Sequence, residues 1–178
     1  LDQTRYFLMR EVPFGNDGDF SRRAMIHRMN GDLANDLGNL SQRVLSMIFK
    51  NCSGVMPALP ATAAPEDSAL LDAADAMLGK VRAHMDLQSF HEALRCIWEV
   101  VSDANKYVDT TAPWGLKKTD PVRMGEVLAV LAETIRQAAI LVQPVMPDSA
   151  SKILDQLGVA DGQRGFDMLA GARRIAEG

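Results

Sequence analysis

Asn35, Asn39 and Arg43 recur every fourth residue in the run DLANDLGNLSQR, a spacing that places them on one face of a helix. Asparagine is a mediocre residue for a helix interior, because its amide competes for backbone groups. The cluster of Asn30, Asn35 and Asn39 therefore calls for a cap, a buried hydrogen bond or a ligand. An Asn side chain offers both a donor and an acceptor, and an Arg offers a planar fork of donors. Together they can match the edges of unpaired bases. Far downstream, the stretch APWGLKK supplies Trp114, a flat face on which a splayed base can stack for roughly 1–3 kcal/mol. Lys117 and Lys118 beside it can meet phosphates, attracting a nucleic-acid backbone without reading it.

Each of these residues also has a plainer reading. Asn39 can satisfy a neighbouring loop, and Arg43 can pair with Asp36 or another acid. Trp114 can plug a gap between helices, and the two lysines can be a solvated face. Spacing alone does not choose between the readings.

The elements that must position these groups are helical. The first, DQTRYFLMREV, is a short helix, followed by the turn-rich PFGNDGDFS. Ser21 is the expected N-cap of RRAMIHRMN, with Arg22 and Arg23 unfavourably placed in its first turn. Gly31 and Asp32 suggest a kink or a new cap. Beyond them Leu33, Leu37, Leu40, Val44 and Ile48 form a helical stripe. The Pro-rich segment CSGVMPALPATAAPEDS is an irregular connection. A second long helix starts near Asp67 or Ser68, with Leu71, Ala74, Leu78, Val81 and Met85 inward. A third follows Asp86, with Phe90, Leu94, Ile97, Val101, Ala104 and Val108 inward. TTAPWGLKKTD is read as a loop. Asp120 then caps a fourth helix with Pro121 in its first turn; Val127 or Leu128, Leu131, Ile135, Ala138 or Ala139, and Val142 form its stripe. Pro144 and Pro147 end it, and Pro147 opens a last helix that Gly158 closes. No segment alternates as a strand would. The expected fold is all-α: an antiparallel bundle of about four or five helices preceded by a helical arm.

Of the 178 residues, 47% are hydrophobic, enough for a core without staples. The net charge of −4 argues against nucleic-acid binding driven by bulk charge, yet leaves room for a local single-stranded site. Cys52 and Cys96 make no disulfide framework and fit a reducing cytoplasm. No apolar run approaches the roughly 20 residues a bilayer needs. His84, His91, Asp86 and Cys96 match no metal-ligand spacing, so no metal is expected. Asp72 and Asp75 are read as a polar face, the methionines as core filler and Trp98 as a packing residue.

The wording of the chain resembles the C-terminal region of methionyl-tRNA synthetases of bacterial type. The stretches RYFLMREVPFGNDGDFS, DLANDLGNLSQR, ANKYVDTTAPWGLKK and LVQPVMP carry the resemblance in the family's order. It implies the anticodon-binding domain of a class I aminoacyl-tRNA synthetase, which recognises the CAU anticodon. Asn39, Arg43 and Trp114 are then the anticodon-binding residues, with Asn35, Pro113, Lys117 and Lys118 in supporting contact. Residues 1–20 would link to a catalytic half, 21–170 form the helical domain, and 171–178 a loose tail. No catalytic motif of the family appears, so the chain is expected to be inactive alone and to bind no cofactor. The whole ligase would use ATP with magnesium and methionine in the cytoplasm, and would take initiator and elongator methionine tRNAs alike. Arg5, Arg10, Arg22 and Arg23 would face the tRNA, acids of the catalytic half, or solvent. The competing expectation is a helical protein-interaction module without RNA binding, with Trp114 as its anchor.

Overall fold

The computed structural model describes residues 1–18 and 20–170; the tail expected at 171–178 lies outside the described residues. The helices are α1 (Asp2–Glu11), α2 (Arg22–Arg28), a π-helical segment (Met29–Gly38), α3 (Asn39–Asn51), α4 (Pro65–Asp86), α5 (Phe90–Thr111), α6 (Pro113–Thr119), α7 (Pro121–Val142) and α8 (Pro147–Gln156). Two short 3₁₀ turns follow, at Asp161–Gln163 and Phe166–Leu169. No strand occurs among the described residues, and the fold is the expected all-α bundle.

The bundle is organised around α7. Its expected stripe is buried, but so is nearly every other residue from Val127 to Val142. A helix apolar all round must sit inside the molecule, and α3, α4, α5, α6 and α8 all pack against it. The polar residues it takes inside are paired. Arg136 grips Glu133 through two hydrogen bonds of 2.9 and 2.7 Å. Gln137 joins Glu133 at 2.9 Å and reaches Asp75 on α4 at 2.8 Å.

Helix ends follow the capping chemistry. The Ser21 hydroxyl accepts from the Ala24 N–H at 3.1 Å, and Asp120 accepts from the Arg123 N–H at 2.9 Å, both as expected. Gly158, in the left-handed region at φ +72, follows α8. α4 starts earlier than its apolar stripe suggests, because Asp67 caps the Ala64 N–H at 3.1 Å and Pro65 fits the first turn. The end of that stripe is also corrected: Met85 is 43% exposed.

Two local expectations are revised. No new cap interrupts the chain at Gly31 and Asp32; helix continues from Arg22 to Asn51 through the π-helical segment. On α3, Leu40, Val44 and Ile48 are buried, and each contributes about 1.5–3 kcal/mol. That outweighs the few tenths to about 1 kcal/mol lost to Asn or Gly in a helix. Second, PWGLKKT is not a loop but the short helix α6. Pro113 occupies its first position, where a fixed φ and a missing N–H are compatible with a helix start.

The arm is held by side chains. Tyr6 and Phe7 are buried, and the Tyr6 hydroxyl donates to Asp32 at 2.6 Å. Burial and that carboxylate push the Tyr6 phenol far above its ordinary range. Asp2 accepts from the Ser149 N–H at 2.7 Å and so caps α8 from the opposite end of the sequence.

Candidate nucleic-acid interface

Asn39 and Arg43 stand one turn apart at the start of α3. Trp114 reaches the same place from α6. The Arg43 guanidinium carbon lies 5.4 Å from the centre of the Trp114 ring, and its Nη2 donates to Asp109 of α5 at 2.8 Å. The arginine thus has its counter-charge in Asp109 rather than in Asp36. Asp36 sits in the π-helical segment, where burial and the charge of Asp32 raise its carboxyl above the usual range.

The Trp114 ring is 52% exposed, so it is not the interior plug of the plainer reading. A sharp corner holds it out. Ala112 ends α5 and precedes α6 in the left-handed conformation, at φ +43 and ψ +57. Non-glycine residues in that region carry strain, which collects at functional positions. Pro113 is buried behind the ring and Leu116 packs against the core, which fixes the base of α6. The indole is left about half in solvent.

Asn39 is exposed on the same face, and its amide makes no hydrogen bond among the described residues. Asn35 is also exposed but lies in the π-helical segment, where the four-residue spacing no longer stacks it beneath Asn39. Lys117 and Lys118 are exposed in the last turn of α6 and form no ion pair among the described residues. A free amide, a partly engaged guanidinium, an open aromatic face and two unpaired cations therefore lie on one side of the bundle. That set can stack a base, bond its edge and meet its phosphate.

A buried network supports the corner from below. Asp67 is fully buried and takes two hydrogen bonds from Arg123 of α7, at 2.6 and 2.7 Å, and one from the Tyr107 hydroxyl of α5 at 2.6 Å. Burial alone would raise its carboxyl, but Arg123, Tyr107 and the Ala64 N–H together hold it below the usual carboxylate range. Tyr107 lies two residues before Asp109 and fixes the end of α5 from which Asp109 and the α6 corner project.

Elsewhere the expectations divide. Trp98 is buried as read, but it also donates to the Asp32 carbonyl at 3.0 Å. Arg10 lies 3.9 Å from Asp32, whereas Arg5, Arg22 and Arg23 are exposed and form no ion pair among the described residues. Both cysteines are free, and no group of three His, Cys, Asp or Glu suited to a metal occurs among the described residues. Sequence reasoning missed Asp109 and Ala112. The need of Arg43 for a counter-charge pointed to an acid, but not to which one.

Residues 57–178 match the family model of the anticodon binding domain of methionyl tRNA ligase, and residues 1–45 match that of class I (M) tRNA synthetases. The methionine–tRNA ligase of Brucella suis is 56% identical over 171 residues, covering 96% of this chain and 33% of the relative. That of Rhizobium meliloti is 50% identical over 178 residues, covering all of this chain and 34% of the relative. The crystal structure of apo methionyl-tRNA synthetase from Mycobacterium tuberculosis superposes with a TM-score of 0.95 at 50% identity, over 99% of this chain and 36% of the other. A structure of that enzyme in complex with methionyl-adenylate superposes equally well. This chain spans about a third of the length of the curated relatives it matches. Because the anticodon-binding model matches residues 57–178, more than half of its length, the chain belongs to the family of methionyl-tRNA ligase anticodon-binding domains.

Proposed function

We propose that this chain reads the CAU anticodon of methionine tRNA for a methionine–tRNA ligase. The observation that carries the reading is the meeting of Arg43 and Trp114, 5.4 Å apart, beside the free amide of Asn39. Trp114 stacks a splayed anticodon base, Asn39 and Arg43 bond base edges, and Lys117 and Lys118 meet phosphates. Pro113 sets the approach of the ring, and Asn35 borders the same surface. Methionine activation with ATP and magnesium belongs to the part of the ligase that this chain does not span. Anticodon recognition remote from that chemistry makes correct docking support the transfer step. Initiator and elongator methionine tRNAs share the anticodon, so this face treats them alike. The setting is the cytoplasm, where translation occurs. No described helix is long and apolar enough to cross a membrane.

The test is binding of methionine tRNA, compared at fixed salt with the same tRNA changed at one anticodon base. A preference for CAU that Arg43→Ala abolishes, with helicity intact, supports the reading. Equal binding of both tRNAs by the chain and by the whole ligase overturns it and favours a protein-interaction role for Trp114.

A further inference from the structure

Asn39 and Arg43 serve the proposed reading only if they come round the helix on the side of Trp114. Relative to α2, their direction is set in the segment Met29–Gly38, which runs in π register: the Asn39 N–H reaches back five residues to the Ala34 carbonyl. In an α-helix each residue advances roughly 100°. Collapse of the wide turn by one residue would therefore swing everything after Gly38 by about that angle relative to α2.

Two features hold the wide register. A Cβ on Gly38 would stand 2.8 Å from the Leu33 carbonyl oxygen, a backbone atom of the same turn. Leu33 cannot retreat without altering the turn itself. By contrast, a Cβ on Gly31, in the same segment, meets nothing within 4 Å. The second feature is a clasp from α5. Trp98 Nε1 donates to the Asp32 carbonyl at 3.0 Å, and Asn105 Nδ2 donates to the Asp36 carbonyl at 3.3 Å. These two side chains, seven positions apart, share a face of α5 and tie it to the π-helical segment at two points.

We propose that Gly38 is a positioning residue of the reading face: its missing side chain permits the π turn that brings Asn39 and Arg43 round to Trp114. This deepens the anticodon reading and rests on it. Gly38 touches no RNA in this scheme; it acts through Arg43.

The test compares Gly38→Ala with Gly31→Ala in the whole chain. The direct readout is the Trp114 indole N–H resonance, assigned with Trp114→Phe, in the absence of RNA. The second is affinity for methionine tRNA. Gly38→Ala should move the Trp114 resonance, because the guanidinium leaves the ring. It should weaken tRNA binding about tenfold or more, as expected for losing a charge-assisted hydrogen bond. Gly31→Ala should leave both unchanged. A Trp114 resonance that stays in place in Gly38→Ala overturns the proposal, whatever the affinity does. A resonance that moves without a change in affinity upholds the positioning role and refutes the anticodon reading. Should Gly38→Ala not fold, Asn105→Ala removes the clasp's bond to Asp36, next to the Gly38 turn, without adding a side chain to it. It must then move the same resonance, and an unmoved one overturns the proposal.

Discussion

Replacing Trp114 by Ala is the most direct probe of the interface. About half of the side chain is exposed, and Arg43 lies over the ring. One face remains open, so the variant loses the stacking of one base, worth about 1–3 kcal/mol. At 1.4 kcal/mol per tenfold, affinity for the cognate anticodon should fall about 5- to 150-fold. Fold stability should change by no more than about 1 kcal/mol, because Pro113 and Leu116, not the indole, anchor α6. No charge is removed, so the slope of log affinity against log salt should not change. Trp114→Phe keeps a smaller face and should fall between the two. The assay is anisotropy of a labelled anticodon stem-loop at several salt concentrations, alongside urea melts. A less than twofold change with Ala would refute the stacking argument. So would an equal loss for a stem-loop whose anticodon bases are locked in pairs.

Lys117→Ala removes a phosphate contact; the salt slope should drop by about 1 while the preference among anticodons survives, read from the same titrations. Asp67→Asn leaves Arg123 short of its counter-charge. With Arg123 22% exposed, urea unfolding should show a loss of about 2–3 kcal/mol. Because the Asp67 carboxyl is held low when folded, its contribution is complete above its unfolded value near pH 4 and lost as pH falls through the folded one. The variant should therefore lack that part of the acid destabilisation. Ala112→Gly relieves the left-handed corner and should raise stability by about 0.5–1 kcal/mol in a thermal melt.

The residue types at the interface were legible in the sequence because chemistry and local spacing expose them. Asn39 and Arg43 fall one turn apart in any helix, and a Trp between turn-forming residues invites a contact. The same local logic located α3, α5 and α7, since an apolar stripe repeats within a few residues and needs no knowledge of its partner, and Pro147 and Gly158 bounded α8. It also located the caps at Ser21 and Asp120, whose bonds span only 3 positions. It misjudged PWGLKKT, where Gly and Pro mark a boundary without saying whether a helix resumes.

What tertiary structure alone decided are the pairings between residues distant in the chain. Arg43 meets Asp109 across 66 positions, and Asp2 caps α8 across 147. No local pattern encodes such a partner, because either acid could have faced water at no cost. The π register is of the same kind. Intrinsic preference favours an α-helix at Met29–Gly38. The packing of α5, with Trp98 and Asn105 reaching the Asp32 and Asp36 carbonyls, supports the wider turn, and no local pattern announces it. Sequence thus determined which groups could read a base. The fold decided that they stand together, because their separation is a property of packed helices and not of the chain between them.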